Sequence, residues 1–222
     1  MSPCPARSSS SRHFAPRTLR PGPRVPRAGL TRAAVTAVAI DLVDEGGTAG
    51  FDRLTLAAVA GRAGVAVPSL YKHVSSIDDL RRLLATESLA ELTRVLAAAT
   101  IGRAGPEAVR AAADAMRDFA RRHPGRYAAT QVAPHGSDPA DGELVARAEE
   151  TIAVLAGVLR GFGLPDDELV DAIRMLRSAV HGFVTLELGG GFGLPDDLDR
   201  SYAVLVDGVT AGIERLAQAP EK

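Results

Sequence analysis

Residues 55 to 74 read TLAAVAGRAGVAVPSLYKHV, with apolar positions Leu56, Val59, Ala60 and Ala63 at spacings of three and four. That period buries one face of a short helix. Thr55 stands where a side-chain oxygen caps a first turn. Gly64 stands at a sharp turn between two helices, where a left-handed backbone costs glycine little. Pro68 suits the first turn of a second helix, which lacks an N–H partner anyway. The spacing predicts just under two turns from there to Val74, with Leu70 and Val74 inward and Ser69, Lys72 and His73 outward.

The same period recurs along the rest of the chain, and no segment alternates polar and apolar residues over a strand's length. Leu30, Ala34, Val38, Leu42 and Val43 predict a first helix from Leu30 to Glu45, ended by Gly46-Gly47. Ser76 is placed to cap a fourth helix, with Asp78 and Asp79 in its first turn, that runs unbroken almost to Gly102. A helix this long can link two domains mechanically. A fifth opens at Pro106 and closes at Pro124-Gly125, with Val109, Met116 and Phe119 inward, and a short sixth covers Arg126 to Val132. The seventh spans about Asp141 to Leu159, the eighth Pro165 or Asp166 to Leu188, and the ninth Pro195 to Ala217. The fold class expected is all-α, with nine helices.

Three regions follow. Residues 1–29 hold six prolines and six arginines among serines, too polar and broken to bury a core, and are expected to stay unstructured. Residues 30–75 form the unit around the two short helices, and 76–218 a larger helical body. The arm carries Arg7, Arg12, Arg17, Arg20, Arg24 and Arg27 and no acid, so a net charge of −1 conceals a body with 20 bases against 27 acids. Such an arm can neutralise phosphates without reading sequence. The segment GFGLPDD occurs at 161–167 and again at 191–197; with no strand before the glycines and no Lys-Ser/Thr after them, both copies read as a glycine stop followed by a Pro-Asp-Asp helix start.

The pattern T-L-x-x-V-A-x-x-A-G-V-x-x-x-x-L-Y-K-H-V resembles the helix-turn-helix of the tetracycline-repressor (TetR) family of bacterial regulators, and the likeness extends from Leu30 to Leu80. Two positions depart from it: Ala66 stands where members often carry a capping Ser or Thr, and Ile77 where they often carry a phosphate-binding Lys. The resemblance implies that the second helix enters the major groove of double-stranded operator DNA. Thr55, Tyr71, Lys72 and His73 are then the expected phosphate contacts, with Val67 and Ser69 nearer the base edges. The body resembles the family's effector-binding and dimerisation domain. Within it, His181-Gly182 matches a subtype named for a Trp-His-Gly motif, with Arg177 in place of the Trp.

The resemblance implies a homodimer, and Val180, Phe183, Val184, Leu186 and Leu188 with Val204, Leu205, Val209 and Ile213 offer more apolar surface than one core needs. An apolar or amphipathic small molecule is expected between the fifth, seventh and eighth helices, shifting the fourth, in a pocket that includes Phe119, His123, Tyr127, Arg174, Met175, Ser178 and His181. The function expected is a sequence-specific transcriptional regulator, a repressor released from its operator by that effector. The alternatives are a nucleoid-type protein that holds DNA by charge alone and an all-α enzyme. Against the enzyme, the chain has no H-E-x-x-H or G-x-S-x-G, its only cysteine is Cys4, and its five histidines share no helical face. No cofactor or metal is expected. No apolar run reaches the roughly 18 residues of a membrane span, and the expected location is the cytoplasm.

Overall fold

A computed structural model describes residues 30–218; the basic arm lies outside the described residues. The described residues form nine α-helices and three short 3-10 turns, with no strand among them: α1 Arg32–Glu45, α2 Leu56–Ala63, α3 Val67–Leu70, α4 Ile77–Thr100, α5 Gly105–Arg122, α6 Pro124–Ala129, α7 Gly142–Leu159, α8 Asp166–Leu188 and α9 Leu198–Ala217.

Local chemistry sets most of these limits. The Oγ1 of Thr31 accepts from the Ala34 N–H, so α1 starts two residues beyond the expected Leu30. Ser76 caps α4 by accepting from the Asp79 N–H at 3.0 Å, and the 24 residues that follow make a rod about 36 Å long at ~1.5 Å per residue. Three further boundaries differ from expectation. The second short helix is a single turn, Val67–Leu70; the Leu70 carbonyl then accepts from both His73 and Val74 N–H, which closes Tyr71–His73 into a tight turn. Pro124-Gly125 begins α6 instead of merely ending α5, so His123 caps both. The two GFGLPDD copies part company at their ends: α8 starts at Asp166, but α9 waits for Leu198, because Asp197 accepts from the Asp199 and Arg200 N–H groups and the Asp199 carboxylate pairs with Arg117.

Two hydrophobic cores result. The first joins Val35, Ala39 and Val43 of α1, Val59 and Ala60 of α2, Leu70 and Val74 to Leu80 and Leu84 of α4 and Ala129 of α6. The second gathers α5, α7, α8 and α9 with Leu92 and Leu96 of α4 and Tyr127 of α6. Helices α4 and α6 therefore belong to both. Arg117 is buried in the second core, where its guanidinium donates twice to Glu187 (2.9 and 2.7 Å), meets Asp199 at 2.8 Å and lies 4.5 Å from the Tyr202 ring centroid. It ties α5 to the end of α8 and the start of α9.

Candidate nucleic-acid interface and effector cavity

The turn between α2 and α3 is built from backbone. Gly64 adopts φ +71° and the Val65 N–H donates to the Ala60 carbonyl at 3.0 Å, a geometry a side chain at residue 64 would strain. Thr55 caps α2 by accepting from the Ala58 N–H at 3.1 Å, which leaves its hydroxyl proton free to donate. Leu70 and Val74 are fully buried, so the side chains between them are forced to the surface. Tyr71 is 56% exposed and Lys72 is exposed; Ser69 and His73 are half-buried. Val67, expected near base edges, is half-buried and packs partly against the first core. Ala66 provides no side-chain cap for α3.

Charge on this unit is largely neutralised internally. Arg62 forms a two-pronged pair with Glu45 of α1, and Arg32 meets Asp79 at 3.0 Å. Among the described residues, Arg53 and Lys72 make no such pair, and both are exposed, Arg53 two residues before Thr55 and Lys72 next to Tyr71. Arg53 did not stand out in the sequence because it precedes the periodic stretch. Its adjacency to the Thr55 cap is the signal that could have found it.

A cavity of about 270 Å³ lies in the body, walled by Leu89, Leu92 and Leu96 of α4, Met116 of α5, residues 130–134, Thr151 and Leu155 of α7, and Ile173 and Arg177 of α8. Of the seven residues expected to line a pocket, Tyr127 alone lines this one. Phe119 is core, its ring 5.4 Å from that of His123. His123 sits beside Arg126 and 3.7 Å from Asp44, where burial holds its pKa below the usual imidazole value. Met175 packs over Gly212 of α9, and Arg174 and Ser178 are exposed, with Arg174 3.5 Å from Asp171. The reason is register. Ile173 and Arg177 are four apart on the face of α8 that meets the cavity, and 174, 175 and 178 fall on other faces. His181, one turn further, hydrogen-bonds Tyr127 at 3.1 Å between Nδ1 and the phenol oxygen.

The wall is mostly apolar with a few fixed polar groups. Burial raises the Tyr127 phenol to about 12, so it stays protonated. Thr93 and Thr151 share a 2.7 Å hydrogen bond, and Arg177 donates to Gln131 Oε1 at 3.3 Å at the rim. Such a lining suits an amphipathic molecule.

The cavity also touches the elements that carry the first core. Leu89, Leu92 and Leu96 are on the rod that holds Leu80 and Leu84, and Tyr127 lies two residues from Ala129. The start of α6 is pressed onto the end of α1: a Cβ on Gly125 would lie 2.5 Å from the Val43 carbonyl oxygen and 2.9 Å from that of Gly47. Arg126 Nε donates to Asp44 Oδ1 at 3.0 Å across the same seam. A second link runs from Arg32 through Asp79 and Arg82 to Asp141, whose other oxygen accepts from the His135 N–H and whose pKa is lowered by that bond and by Arg82.

Of the apolar residues expected between two copies, Val180, Phe183, Val184, Val209 and Ile213 are buried within this chain, and Leu188 and Leu205 are half-buried. Leu186 and Val204 remain 50% and 65% exposed, and Val170 is also exposed. No helix among the described residues is long and apolar enough to cross a membrane, and none of their His, Cys, Asp and Glu side chains cluster in threes to hold a metal.

Comparison with known proteins agrees with this arrangement. The profile of bacterial regulatory proteins of the tetR family matches residues 45–84, and that of the tetracyclin repressor-like C-terminal domain matches 109–209. The HTH-type transcriptional regulator Rv0681 of Mycobacterium tuberculosis is 37% identical over 191 residues, covering 85% of this chain and 84% of that protein. YobS of Bacillus subtilis, also an HTH-type transcriptional regulator, is 29% identical over 189 residues, 85% of this chain and 95% of its own. Among solved structures, a TetR variant from Acinetobacter baumannii in complex with minocycline superposes with a TM-score of 0.64 at 23% identity, covering 86% of this chain and 99% of that one. ActR from Streptomyces coelicolor in complex with (S)-DNPA gives 0.61 at 19% identity, with 86% and 100% covered.

Proposed function

Since the chain belongs to the TetR family of bacterial transcriptional regulators, we propose that it acts as a dimeric repressor, released from its operator by an amphipathic effector bound in the 270 Å³ cavity. The observation that carries this reading is the double membership of α4 and α6: the side chains that wall the cavity and those that support the recognition turn are on the same two helices. A molecule that wedges Leu92 from Ile173 displaces the rod that holds Leu80 and Leu84, and with it the spacing of two recognition turns. That spacing must match successive major grooves roughly 34–36 Å apart.

In this reading Thr55, Tyr71, Lys72 and His73 contact phosphate, joined by Arg53, and Ser69 faces the bases, with Val67 supporting it from its partly packed position. The effector places its apolar body against Leu92, Met116 and Ile173 and a hydrogen-bond acceptor toward Arg177 or the Tyr127 hydroxyl. The second copy covers the face of α8 and α9 that bears Leu186 and Val204, where Gly182 and Gly208 permit close approach. His181-Gly182 supports the finer Trp-His-Gly assignment.

The test is an anisotropy titration against DNA flanking the chain's own gene, at physiological salt with excess nonspecific competitor. A specific regulator binds at about 10⁻⁸–10⁻¹¹ M and tolerates the competitor. If all binding vanishes with competitor and with modest added salt, the repressor reading fails and the charge-driven binder takes its place.

A further inference from the structure

A second cavity, of about 380 Å³, lies on the other side of Tyr127, between the 3-10 turn Gly47–Ala49, α6 and the last turns of α8. We propose that this cavity is a separate ligand site, spanning the two cores, which takes a small uncharged molecule with an apolar body and one hydrogen-bonding oxygen.

Its volume falls within the ~300–1,000 Å³ usual for ligand pockets. Pro124, Ala128 and Leu188 give it an apolar floor, and no Asp, Glu, Lys or Arg lines it, so an ion would enter without a counter-charge. Five polar side chains border it: Thr48, Tyr127, Gln131, His181 and Thr185. Their own bonds leave room for a guest. Where the protonated Tyr127 hydroxyl donates to His181 Nδ1, at 3.1 Å, the neutral ring carries its proton on Nε2. Burial and the nearby Arg177 hold the His181 pKa below its ordinary value and keep that ring neutral. The Nε2 proton then meets only Thr185 Oγ1, at a loose 3.5 Å. A ligand oxygen can take that proton at a better distance, with a threonine hydroxyl returning a second bond.

The two cavities are distinct spaces. Tyr127 and Gln131 form the shared wall, and both are held from several sides: the Tyr127 hydroxyl by His181, its carbonyl by the Thr130 hydroxyl at 2.7 Å, and Gln131 by Thr130 and Arg177. The second space alone reaches Thr48, on the turn that follows α1. A guest there touches the first core's outer turn and α8 at once, whereas a guest in the other cavity reaches the first core only through α4 and α6.

The experiment uses the full chain with labelled Ala, Ile, Leu and Thr methyls and phenol or benzyl alcohol as the probe, followed by NMR. Phenol is expected to shift Thr48, Ala128, Thr185 and Leu188 and to leave Leu92 and Ile173 unmoved. Thr185→Phe, which fills this space from α8, should weaken binding at least tenfold, and Ala148→Phe, which fills the other cavity, should leave it unchanged. Toluene, of the same shape without the oxygen, should bind severalfold more weakly. Shifts confined to Leu92 and Ile173, no shift at the four methyls up to the solubility limit, or full affinity in Thr185→Phe would overturn the proposal. Operator binding by the unliganded chain is measured separately, so the repressor reading stands or falls apart from this result.

Discussion

Gly125→Ala tests the seam between α6 and α1 with a single carbon atom. The added Cβ would lie 2.5 Å from the Val43 carbonyl oxygen, 2.6 Å from Val43 Cγ1 and 2.9 Å from the Gly47 carbonyl oxygen. Two of the three are backbone atoms and cannot rotate aside, so α6 must lift from α1 to admit it. Overpacking of this kind costs about 1–3 kcal/mol, and the gain of Ala over Gly in a helix returns less than ~1. At roughly 2–4 °C per kcal/mol for a chain of this size, melting followed by circular dichroism should fall by about 2–8 °C. Gly157→Ala is the control: residue 157 lies in the last turn of α7, exposed, with nothing within 4 Å of a new Cβ, and the melt should rise by up to about 4 °C. Lifting α6 also moves Tyr127, so the same variant should change the effector's influence on operator affinity. A Gly125→Ala melt equal to or above that of the parent would refute the packing of α6 on α1, and with it the second route between the cores.

Tyr71→Ala with Lys72→Ala should abolish operator binding with the helical signal intact, and Lys72→Ala alone should lower the slope of log affinity against log salt by about one; unchanged affinity in the double variant would remove these residues from the interface. Arg117→Ala leaves Glu187 facing the core without its partner and should cost about 3–5 kcal/mol in chemical denaturation, whereas Arg117→Met with Glu187→Gln should recover most of it. His123 and His181 both have pKa values lowered by burial, so the folded chain binds fewer protons than the unfolded one as pH falls through about 6.5, and stability drops from there downward. The carboxylates held low by their partners, Glu45, Glu91 and Asp141, add their loss only below about 4.5, so His181→Gln should flatten the denaturation profile between pH 7 and 5.5 and leave the acid limb in place.

The fold was legible where a boundary depends on one residue's own chemistry. Thr55, Ser76 and Gly64 act on their immediate neighbours, and each does what its side chain, or lack of one, dictates. Reading fails where a boundary is decided from a distance. Seven identical residues begin α8 and α9 at different points because Asp199, just past the second copy, meets Arg117 at 2.8 Å, whereas the matching position past the first copy is Leu169, which has no carboxylate. The cavity was hidden for a related reason. Arg174, Met175 and Ser178 are close to His181 along the chain, but a helix sorts residues by angle, and the cavity face passes through Ile173 and Arg177. Tyr127 was within reach because a polar tip on a buried ring needs a partner, and His181 supplies it.

The double membership of α4 and α6 also bears on how the chain folds. A cut after residue 75 would free the recognition unit on paper, yet it would strip Leu80, Leu84 and Ala129, all fully buried, from the first core. Each leucine is worth about 1.5–3 kcal/mol in burial alone, a large share of the margin by which a small unit stays folded. Neither half can then melt by itself, and the chain should unfold in one cooperative step despite its two cores.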